Sequence, residues 1–331
     1  MAAYLDSSVS GLVRVSRGGR TKPRRWRNPL TGKPLRIALV NNMPDGALVA
    51  TERQFCGLVE GATAGQASID LYYLPDLKRG AEAQRILDAH YRPVCELYRR
   101  GADAIIVTGN EPRAARLDEE PYWPELTALI DWAAEHTASA LLSCLAAHAA
   151  VLHLDGIERR RLPMKRSGVF ACKVTPGQAV SLSGTLSICH SRLNEVPKRD
   201  LMQRGYTVIS ETPGGHVDAF TKSWGSTFFF LQGHPEYAPD SLMREYRRDV
   251  GRYHAGQRHD YPGIPENYFD AASVRALLSF RAAAEGSSSP GLLEAFPAVT
   301  LRHGLQERLA RSASAIFSMW LGNLVETLET A

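Results

Sequence analysis

A single cysteine in the middle of the chain occupies a position where it could act as a nucleophile. Cys144 follows the apolar run of residues 140–142, and small, helix-favouring residues begin directly after it. This pattern predicts a buried strand, a sharp turn and a helix, with the thiol at the turn. The first N–H groups of such a helix can stabilise a thiolate and bind an oxyanion. The alternative is that Cys144 is one of five ordinary thiols, since a lone cysteine is a weak signal.

A histidine and a glutamate stand two residues apart, ninety residues further along the chain. His234 and Glu236 follow the apolar run of residues 228–231, and Pro235 lies between them. Proline restricts the backbone on both sides, so the two side chains are expected to project to the same side of an extended segment. A base oriented by a carboxylate is what a cysteine nucleophile needs. We therefore expect Cys144, His234 and Glu236 to meet.

The segments that must position these residues alternate in character through the first half of the chain. Strand-like runs occur at residues 35–40, 68–74, 102–109 and 140–143. Helical patterns begin at about Thr51, span about residues 81–100, and begin again at about Pro124. Pro93 is expected to kink or break the second helix. This alternation predicts a parallel sheet with helices on both faces and a site at its carboxyl edge. After about Gly156, short β-rich runs between Gly and Pro turns predict an antiparallel or mixed extension.

Composition narrows the class of protein. The 331 residues are 44% hydrophobic, which is enough for one large core, and no window approaches twenty uncharged apolar residues. With no secretory signal either, the prediction is a cytoplasmic protein without a membrane partner. The net charge of +4 is too small to indicate nucleic acid. Five scattered cysteines without paired spacing favour reduced thiols, and neither a disulfide framework nor a metal site is expected.

Three regions differ in texture. Residues 1–34 are polar with a dense basic cluster at residues 20–27, and we expect a flexible, solvated tail; the alternatives are a phosphate-binding arm or a transit peptide. Residues 35–270 are predicted to form the enzymatic domain. Residues 271–331 are predicted to be a helical extension, with an amphipathic pattern at residues 301–328 that favours packing; a homodimer helix is the alternative.

Several short motifs occur together and in order. They are Asn42-Met43-Pro44, Thr51-Glu52-Arg53-Gln54, Val107-Thr108-Gly109, Pro121-Tyr122-Trp123-Pro124, Lys165-Arg166-Ser167-Gly168-Val169, His190-Ser191-Arg192, Gly233-His234-Pro235-Glu236-Tyr237 and Arg248-Asp249-Val250. With Cys144, this set closely resembles the homoserine O-succinyltransferase family of methionine biosynthesis. The resemblance implies a class I glutamine amidotransferase-like, flavodoxin-like three-layer α/β fold.

The resemblance also implies roles for individual residues. Cys144 is then the acyl-accepting nucleophile, His234 the general base and Glu236 its orienting acid. Lys165, Arg192 and Arg248 match positions near the substrate pocket, and Arg248 would bind the amino acid's carboxylate. N–H groups after Cys144 and near Gly109 are the expected oxyanion hole.

The implied reaction is acyl transfer from acyl-CoA to the hydroxyl of L-homoserine through a cysteine acyl-enzyme. Acyl-CoA is then a substrate, and no separate cofactor is expected. When the chain is aligned with the family at the Thr-Gly turn without gaps, Arg113 falls at the position that lines the acyl pocket. There it could pair with the distal carboxylate of succinyl-CoA. If the loop is shifted slightly in this alignment, Glu111 occupies the acyl-pocket position instead, and acetyl-CoA would be the favoured donor.

Further functions remain compatible with the same residues. L-serine could replace L-homoserine as the acceptor of an acyltransferase. The triad could also serve a glutamine amidotransferase-like cysteine hydrolase, which is a second functional class. A non-catalytic binding protein is the third class, and the intact set of Cys144, His234 and Glu236 argues against it.

Two further groups of residues could be chemical sites. His148 lies one turn after Cys144 and could be a second base, but a hydrogen-bonded packing residue is the favoured interpretation. Cys172, Cys189 and His190 have no recognisable ligand spacing, so no metal is expected there.

Overall fold

The computed structural model describes residues 26–176, 182–284 and 292–330. Most of the predicted basic tail, residues 1–25, lies outside the described residues, as does nearly all of the β-rich run expected at residues 179–182. Within the described residues, no helix is long and apolar enough to cross a membrane.

The regular elements follow the expected alternation. The strands are β1 (Arg36–Val40), β2 (Ser68–Tyr73), β3 (Arg92–Pro93), β4 (Ala104–Val107), β5 (Ser139–Ser143), β6 (Arg160–Val174), β7 (Thr185–Glu195), β8 (Thr207–Glu211), β9 (Val217–Trp224) and β10 (Ser226–Leu231). The helices are α1 (Leu48–Thr63), α2 (Ala81–His90), α3 (Val94–Arg100), α4 (Trp123–His136), α5 (Leu145–Asp155), α6 (Lys198–Gln203), α7 (Ser241–His254), α8 (Ala271–Ala284) and α9 (Leu305–Thr330).

The described strands form one sheet in the order β3-β2-β1-β4-β5-β10-β9-β8-β6-β7. The strands from β3 to β10 in that order pair in parallel, and the remaining pairs are antiparallel. The predicted mixed extension is therefore confirmed. Strands β5 and β10 are adjacent and parallel, with Ser143 opposite Leu231. Their carboxyl ends consequently lie side by side at the same edge.

The central strands β1, β4, β5 and β10 are apolar and buried along most of their length, because helices cover both faces of the sheet there. Along β1, Ile37 and Leu39 belong to one hydrophobic cluster, while Ala38 and Val40 belong to another. Helices α4 and α5 contribute to the cluster around Ala38, and α1 and α9 contribute to the cluster around Ile37. Alternate side chains of one strand thus face opposite helical layers. The predicted α/β fold class is confirmed.

One predicted element is divided in the structure. The helix expected over residues 81–100 ends at His90, and a new helix begins at Val94. Pro93 is the N-cap of α3 and has an extended conformation, with φ −64° and ψ 147°. Together with Arg92 it pairs with β2, so the expected break contains a two-residue strand. The strand that leads to Cys144 is therefore the fifth in the chain, whereas the sequence pattern predicted the fourth.

The C-terminal helix is part of the main core. In α9, Trp320 Nε1 donates a 2.9 Å hydrogen bond to Ser139 Oγ on β5. The ring of Phe317 lies 6.1 Å from that of Phe55 on α1. These contacts show the packing role that the apolar pattern favoured, and they connect α9 to the strand that leads to Cys144.

Candidate active site

The candidate nucleophile, Cys144, lies at a strained turn. Cys144 follows β5 and is the N-cap of α5, with φ 52° and ψ −111°. Positive φ in a residue with a side chain costs of order 1 to 3 kcal/mol, and persists only where neighbouring structure enforces it. Here the Cys144 N–H donates to Leu231 O at 2.7 Å, and its carbonyl accepts from His148 N–H at 3.2 Å. Cys144 lies at the turn between β5 and α5, as the strand–turn–helix pattern predicted, and it is half-buried.

The candidate base is fixed at three points. The His234 N–H donates to Cys189 O at 2.7 Å, its Nδ1 lies 2.8 Å from Glu236 Oε1, and its side chain is close enough to Cys144 for the two groups to interact. Because Glu236 faces Nδ1, Nε2 is the nitrogen left for the thiol. Burial opposes the charged form, but the charges of Glu236 and Cys144 outweigh it and raise the pKa of His234 well above its ordinary value.

The local backbone differs from the predicted extended segment. The Tyr237 N–H donates to His234 O at 3.3 Å, so residues 234–237 form a turn with Pro235 in its second position. Proline favours that position because its fixed φ suits a β-turn. The expected pairing of His234 with Glu236 is present, but the turn produces it.

Gly109 lies directly against the turn of the nucleophile. A Cβ placed on Gly109 would lie 3.2 Å from Cys144 Cβ, from Leu145 N and from Ser143 O. The Thr-Gly turn after β4 therefore approaches the start of α5 as closely as a residue without a side chain allows. The backbone of Gly109 and the Leu145 N–H are therefore close neighbours beside Cys144, where the sequence predicts an oxyanion hole.

Two of the predicted substrate-binding residues share one carboxylate. Lys165 lies on β6 where the register with β7 shifts, and its Nζ donates to Asp249 Oδ2 at 2.9 Å. Arg248 donates to the other oxygen of Asp249 at 3.1 and 3.3 Å. Burial alone would raise the pKa of Asp249, but Lys165 and Arg248 hold it below its usual range. The structure thus brings Lys165 and Arg248 together, with the Arg248 side chain 47% exposed.

Arg192 occupies a different environment, inside the protein. Its side chain is only 2% exposed, and Nη2 donates to Val217 O at 3.2 Å. Nε and Nη1 have no hydrogen-bond partner among the described residues. Burial lowers the pKa of Arg192, opposed by the charges of Glu195 and Asp218. A buried guanidinium with two free donors can bind an anion or a carbonyl oxygen.

The loop after Gly109 places its two candidate acyl-pocket residues apart. Arg113 is exposed, and its backbone N–H donates to Glu120 Oε1 at 2.6 Å. Glu111 instead accepts from Arg252 of α7 at 2.8 and 3.2 Å, and this hydrogen bonding lowers the pKa of Glu111. Glu120 also accepts from the Ala114 N–H at 2.8 Å. The buried carboxylate of Glu120 therefore fixes the backbone at Arg113, which is the position that the alignment assigned to the acyl pocket.

The residues immediately before His234 contribute contacts that the sequence did not reveal. Buried Gln232 accepts from His148 Nε2 at 3.0 Å and from the Val196 N–H at 2.8 Å. His148 is therefore a hydrogen-bonded packing residue, as the sequence favoured. A Cβ on Gly233 would lie 2.4 Å from Asp218 Oδ1 and 2.9 Å from His190 Nε2. Only glycine fits at residue 233, because its backbone lies directly against the buried side chains of Asp218 and His190.

That pair belongs to a group of three side chains that the spacing of cysteines did not reveal. Within the described residues, Cys172, His190 and Asp218 bring three potential metal ligands within 4.8 Å of one another. His190 Nε2 lies 3.2 Å from Asp218 Oδ1 and 3.7 Å from Cys172 Sγ, so the groups partner each other. The positive charge of Arg192 acts on all three, which disfavours a divalent cation.

Comparisons with known proteins agree with the motif set. The sequence profile described as homoserine O-succinyltransferase matches residues 28–329. A homoserine O-succinyltransferase from Rhodopseudomonas palustris is 48% identical over 294 residues, which cover 88% of each chain. One from Bradyrhizobium japonicum is 43% identical over 307 residues, covering 92% of this chain and 93% of that one.

A solved glutamine amidotransferase from Thermotoga maritima is also similar, with TM-score 0.46 and 14% identity, over 88% of this chain and 98% of that one. The sequence matches extend over all three described ranges and include the strands and turns that carry Cys144, His234 and Glu236. The chain therefore belongs to the homoserine O-succinyltransferase family, whose members are acyltransferases.

Proposed function

We propose that this acyltransferase moves the succinyl group of succinyl-CoA to the hydroxyl of L-homoserine, through a thioester on Cys144, as a step of methionine biosynthesis. The observation that supports this most strongly is the contact of His234 with both Cys144 and Glu236 at the carboxyl ends of β5 and β10. The names of the similar proteins support the choice of succinyl donor and homoserine acceptor.

In the first half-reaction, His234 accepts the thiol proton and the sulfur of Cys144 attacks the thioester carbonyl carbon of succinyl-CoA. The bond between that carbon and the CoA sulfur breaks, and CoA leaves with the proton from the imidazolium. The succinyl group remains on Cys144 as a new thioester. The N–H groups of Leu145 and Gly109 are proposed to stabilise the tetrahedral oxyanion, a contribution of about 3 kcal/mol per donor.

In the second half-reaction, the homoserine hydroxyl transfers its proton to His234 and its oxygen attacks the thioester on Cys144. The carbon–sulfur bond breaks, the O-succinyl ester leaves, and the thiolate and imidazolium are restored. Glu236 favours the imidazolium in both steps. These steps balance with protein groups and the two substrates alone, so the proposal includes no separate cofactor.

The acceptor site is proposed to be the charged region beside α7. Arg248, Lys165 and Asp249 together offer partners for both the α-carboxylate and the α-ammonium of an amino acid. A guanidinium binds a carboxylate in bidentate fashion, which suits Arg248 for the carboxylate. Asp249 already neutralises one positive charge, and Arg248 retains an exposed side to which a substrate can bind.

The experiment is an assay of CoA release with succinyl-CoA or acetyl-CoA, each combined with homoserine or serine. We expect the highest kcat/KM for succinyl-CoA with homoserine, and Arg113→Ala should reduce the preference for succinyl over acetyl. Arg116→Ala is the matched control, because Arg116 is exposed on the same loop and pairs with Asp118 at 2.9 Å. A preference for acetyl-CoA would assign selection to Glu111. Ammonia release from glutamine without acyl transfer would instead favour the cysteine hydrolase.

A further inference from the structure

An aromatic ring lies flat against the candidate base. The ring centroids of His234 and Tyr237 are 4.3 Å apart, and the planes differ by only 18°. The turn explains this contact, because the Tyr237 N–H to His234 O hydrogen bond folds residue 237 back over residue 234. Glu236 binds the edge of the imidazole at Nδ1, while Tyr237 covers one of its faces. The ring is therefore restrained in two perpendicular directions.

The position of Tyr237 is itself fixed from α7. Its hydroxyl donates to Glu245 Oε1, and the other oxygen of Glu245 accepts from the Ser191 hydroxyl. Lys165 Nζ lies 3.6 Å from the same carboxylate oxygen as Ser191. Tyr237 thus has two separable features, which are a ring against the base and a hydroxyl on Glu245.

We propose that Tyr237 is a positioning residue that holds the His234 imidazole in the plane needed by Cys144 and Glu236, and that its ring face favours the imidazolium over the neutral ring. The inference rests on the proposed role of His234 as the base. It adds a residue that touches neither the reacting sulfur nor a substrate in the proposed steps.

The physical basis is the charge distribution of an aromatic ring. The face of a phenol ring carries partial negative charge, so a cation stacked on it is stabilised relative to the neutral form. His234 is buried, and water cannot replace this interaction. The other titratable groups that act on the pair come from the same turn, from the start of α5, from β7 and from α7: Glu236, Cys144, Cys189, His190 and Glu245. Of these groups, Glu245 loses its hydrogen bond from the Tyr237 hydroxyl in both Tyr237→Phe and Tyr237→Met, so a difference between the two variants reports on the ring alone.

The two features are separated by two variants. Tyr237→Phe keeps the ring and removes the hydroxyl, whereas Tyr237→Met keeps much of the volume and removes the ring. The readout is the rate of Cys144 alkylation by iodoacetamide against pH, measured on the Cys144 peptide by mass spectrometry. This needs neither acyl donor nor acceptor, so it remains informative if the proposed substrates are wrong. In such a pair the thiolate and the imidazolium form together when the thiol proton moves to His234, so the pH dependence of alkylation reports on the coupled pair.

If the His234 imidazolium is less stable, it stabilises less of the Cys144 thiolate at a given pH. A higher pH is then needed for the thiol to react. We expect Tyr237→Met to move the alkylation midpoint up by about half to one pH unit and to lower kcat about tenfold, with both KM values within about twofold. Tyr237→Phe should leave the midpoint unchanged. An unchanged midpoint in Tyr237→Met would overturn the proposal, and an equal shift in Tyr237→Phe would assign the effect to the hydroxyl and Glu245 instead.

A measurement on the unsubstituted protein tests the proposal even if a Tyr237 variant misfolds. Stacking on Tyr237 should move the His234 ring proton signals upfield through the ring current. These signals are identified by their loss in the spectrum of His234→Gln. Upfield ring protons support the stacked arrangement, and signals at ordinary positions contradict it whatever the variants do.

Discussion

The backbone N–H of Cys144 donates to the carbonyl oxygen of Leu231 at 2.7 Å, which connects the turn at Cys144 to the strand that leads to His234. Ser143 and Leu231 are register partners on adjacent parallel strands, so the segments that follow them leave the sheet at the same edge. Three residues beyond Leu231, the His234 N–H donates to Cys189 O on β7 at 2.7 Å, and the His234 side chain interacts with Cys144. This pair of strands therefore brings residues 144 and 234, which are distant in sequence, to the same edge of the sheet.

His234 and Glu236 should differ in their importance for the reaction. His234→Ala removes the proton acceptor, and we expect kcat to fall by about 10³ or more, since general base catalysis is commonly worth 10² to 10⁴. Glu236→Gln keeps a hydrogen-bonding group at Nδ1 and should cost less, about 10- to 100-fold. Steady-state kinetics with circular dichroism as a folding control will compare them. Equal losses, or a larger loss in Glu236→Gln, would show that the roles are misassigned.

A methyl group at residue 233 should disturb the base without touching it. In Gly233→Ala the new Cβ would meet Asp218 Oδ1 at 2.4 Å and Ile188 Cγ2 at 2.6 Å, so the backbone before His234 must shift. We expect a stability loss of about 1 to 3 kcal/mol and a fall in kcat of at least tenfold. Denaturant unfolding and kinetics test both.

The matched control for Gly233 is Gly61→Ala in α1, where no atom lies within 4 Å of the added Cβ. Alanine in that helix should raise stability by up to about 1 kcal/mol and leave kcat unchanged. If Gly233→Ala behaved like Gly61→Ala, the close packing behind His234 would have no functional consequence.

His148 should make the fold sensitive to acid. Burial lowers the pKa of His148 from 6.5 to about 3, although the hydrogen bond to Gln232 opposes this. Below pH 6.5 the unfolded chain therefore binds a proton that the folded chain does not, and stability falls as the pH drops toward 3. Between pH 7 and pH 5 this loss is about 2 kcal/mol.

The measurement is denaturant unfolding at both pH values for the parent chain and for His148→Gln, which stays neutral and keeps an amide donor for Gln232. The parent should lose about 2 kcal/mol more than the variant. Parallel losses in the two proteins would mean that His148 takes up its proton in the folded state.

The arginine proposed for the acceptor carboxylate can be tested against its neighbour. Arg248→Lys loses bidentate geometry, and we expect the KM for homoserine to rise about tenfold while that for succinyl-CoA stays within about twofold. Arg247→Lys is the control, because Arg247 lies over the Phe296 ring on another side of α7. A rise in the KM for succinyl-CoA alone would place Arg248 in the donor pocket.

The sequence was informative where apolar runs end in chemistry-bearing residues. The run before Cys144 and the run before His234 predicted two core strands, and they are neighbours in the sheet. Glycine and proline spacing predicted the mixed extension. These features are local in sequence, so periodicity and turn chemistry are enough to detect them.

The remaining features depend on contacts between distant segments. Asp218 and His190 meet Gly233 only because β9, β7 and the turn after β10 converge. Glu245 reaches Tyr237 because α7 packs with β6 and β7 in a separate hydrophobic cluster. The split of the helix expected over residues 81–100 also depends on pairing with β2. No periodic pattern within one segment reports such pairings.

The central claim is that Cys144 carries the acyl group. Incubated with succinyl-CoA and no acceptor, the protein should release about one CoA per chain in a burst and carry a succinyl adduct on the peptide that contains Cys144. Added homoserine should discharge this adduct as its O-succinyl ester, and Cys144→Ala should show neither burst nor turnover. An unmodified Cys144 peptide during turnover, or normal turnover by a folded Cys144→Ala chain, would contradict the mechanism.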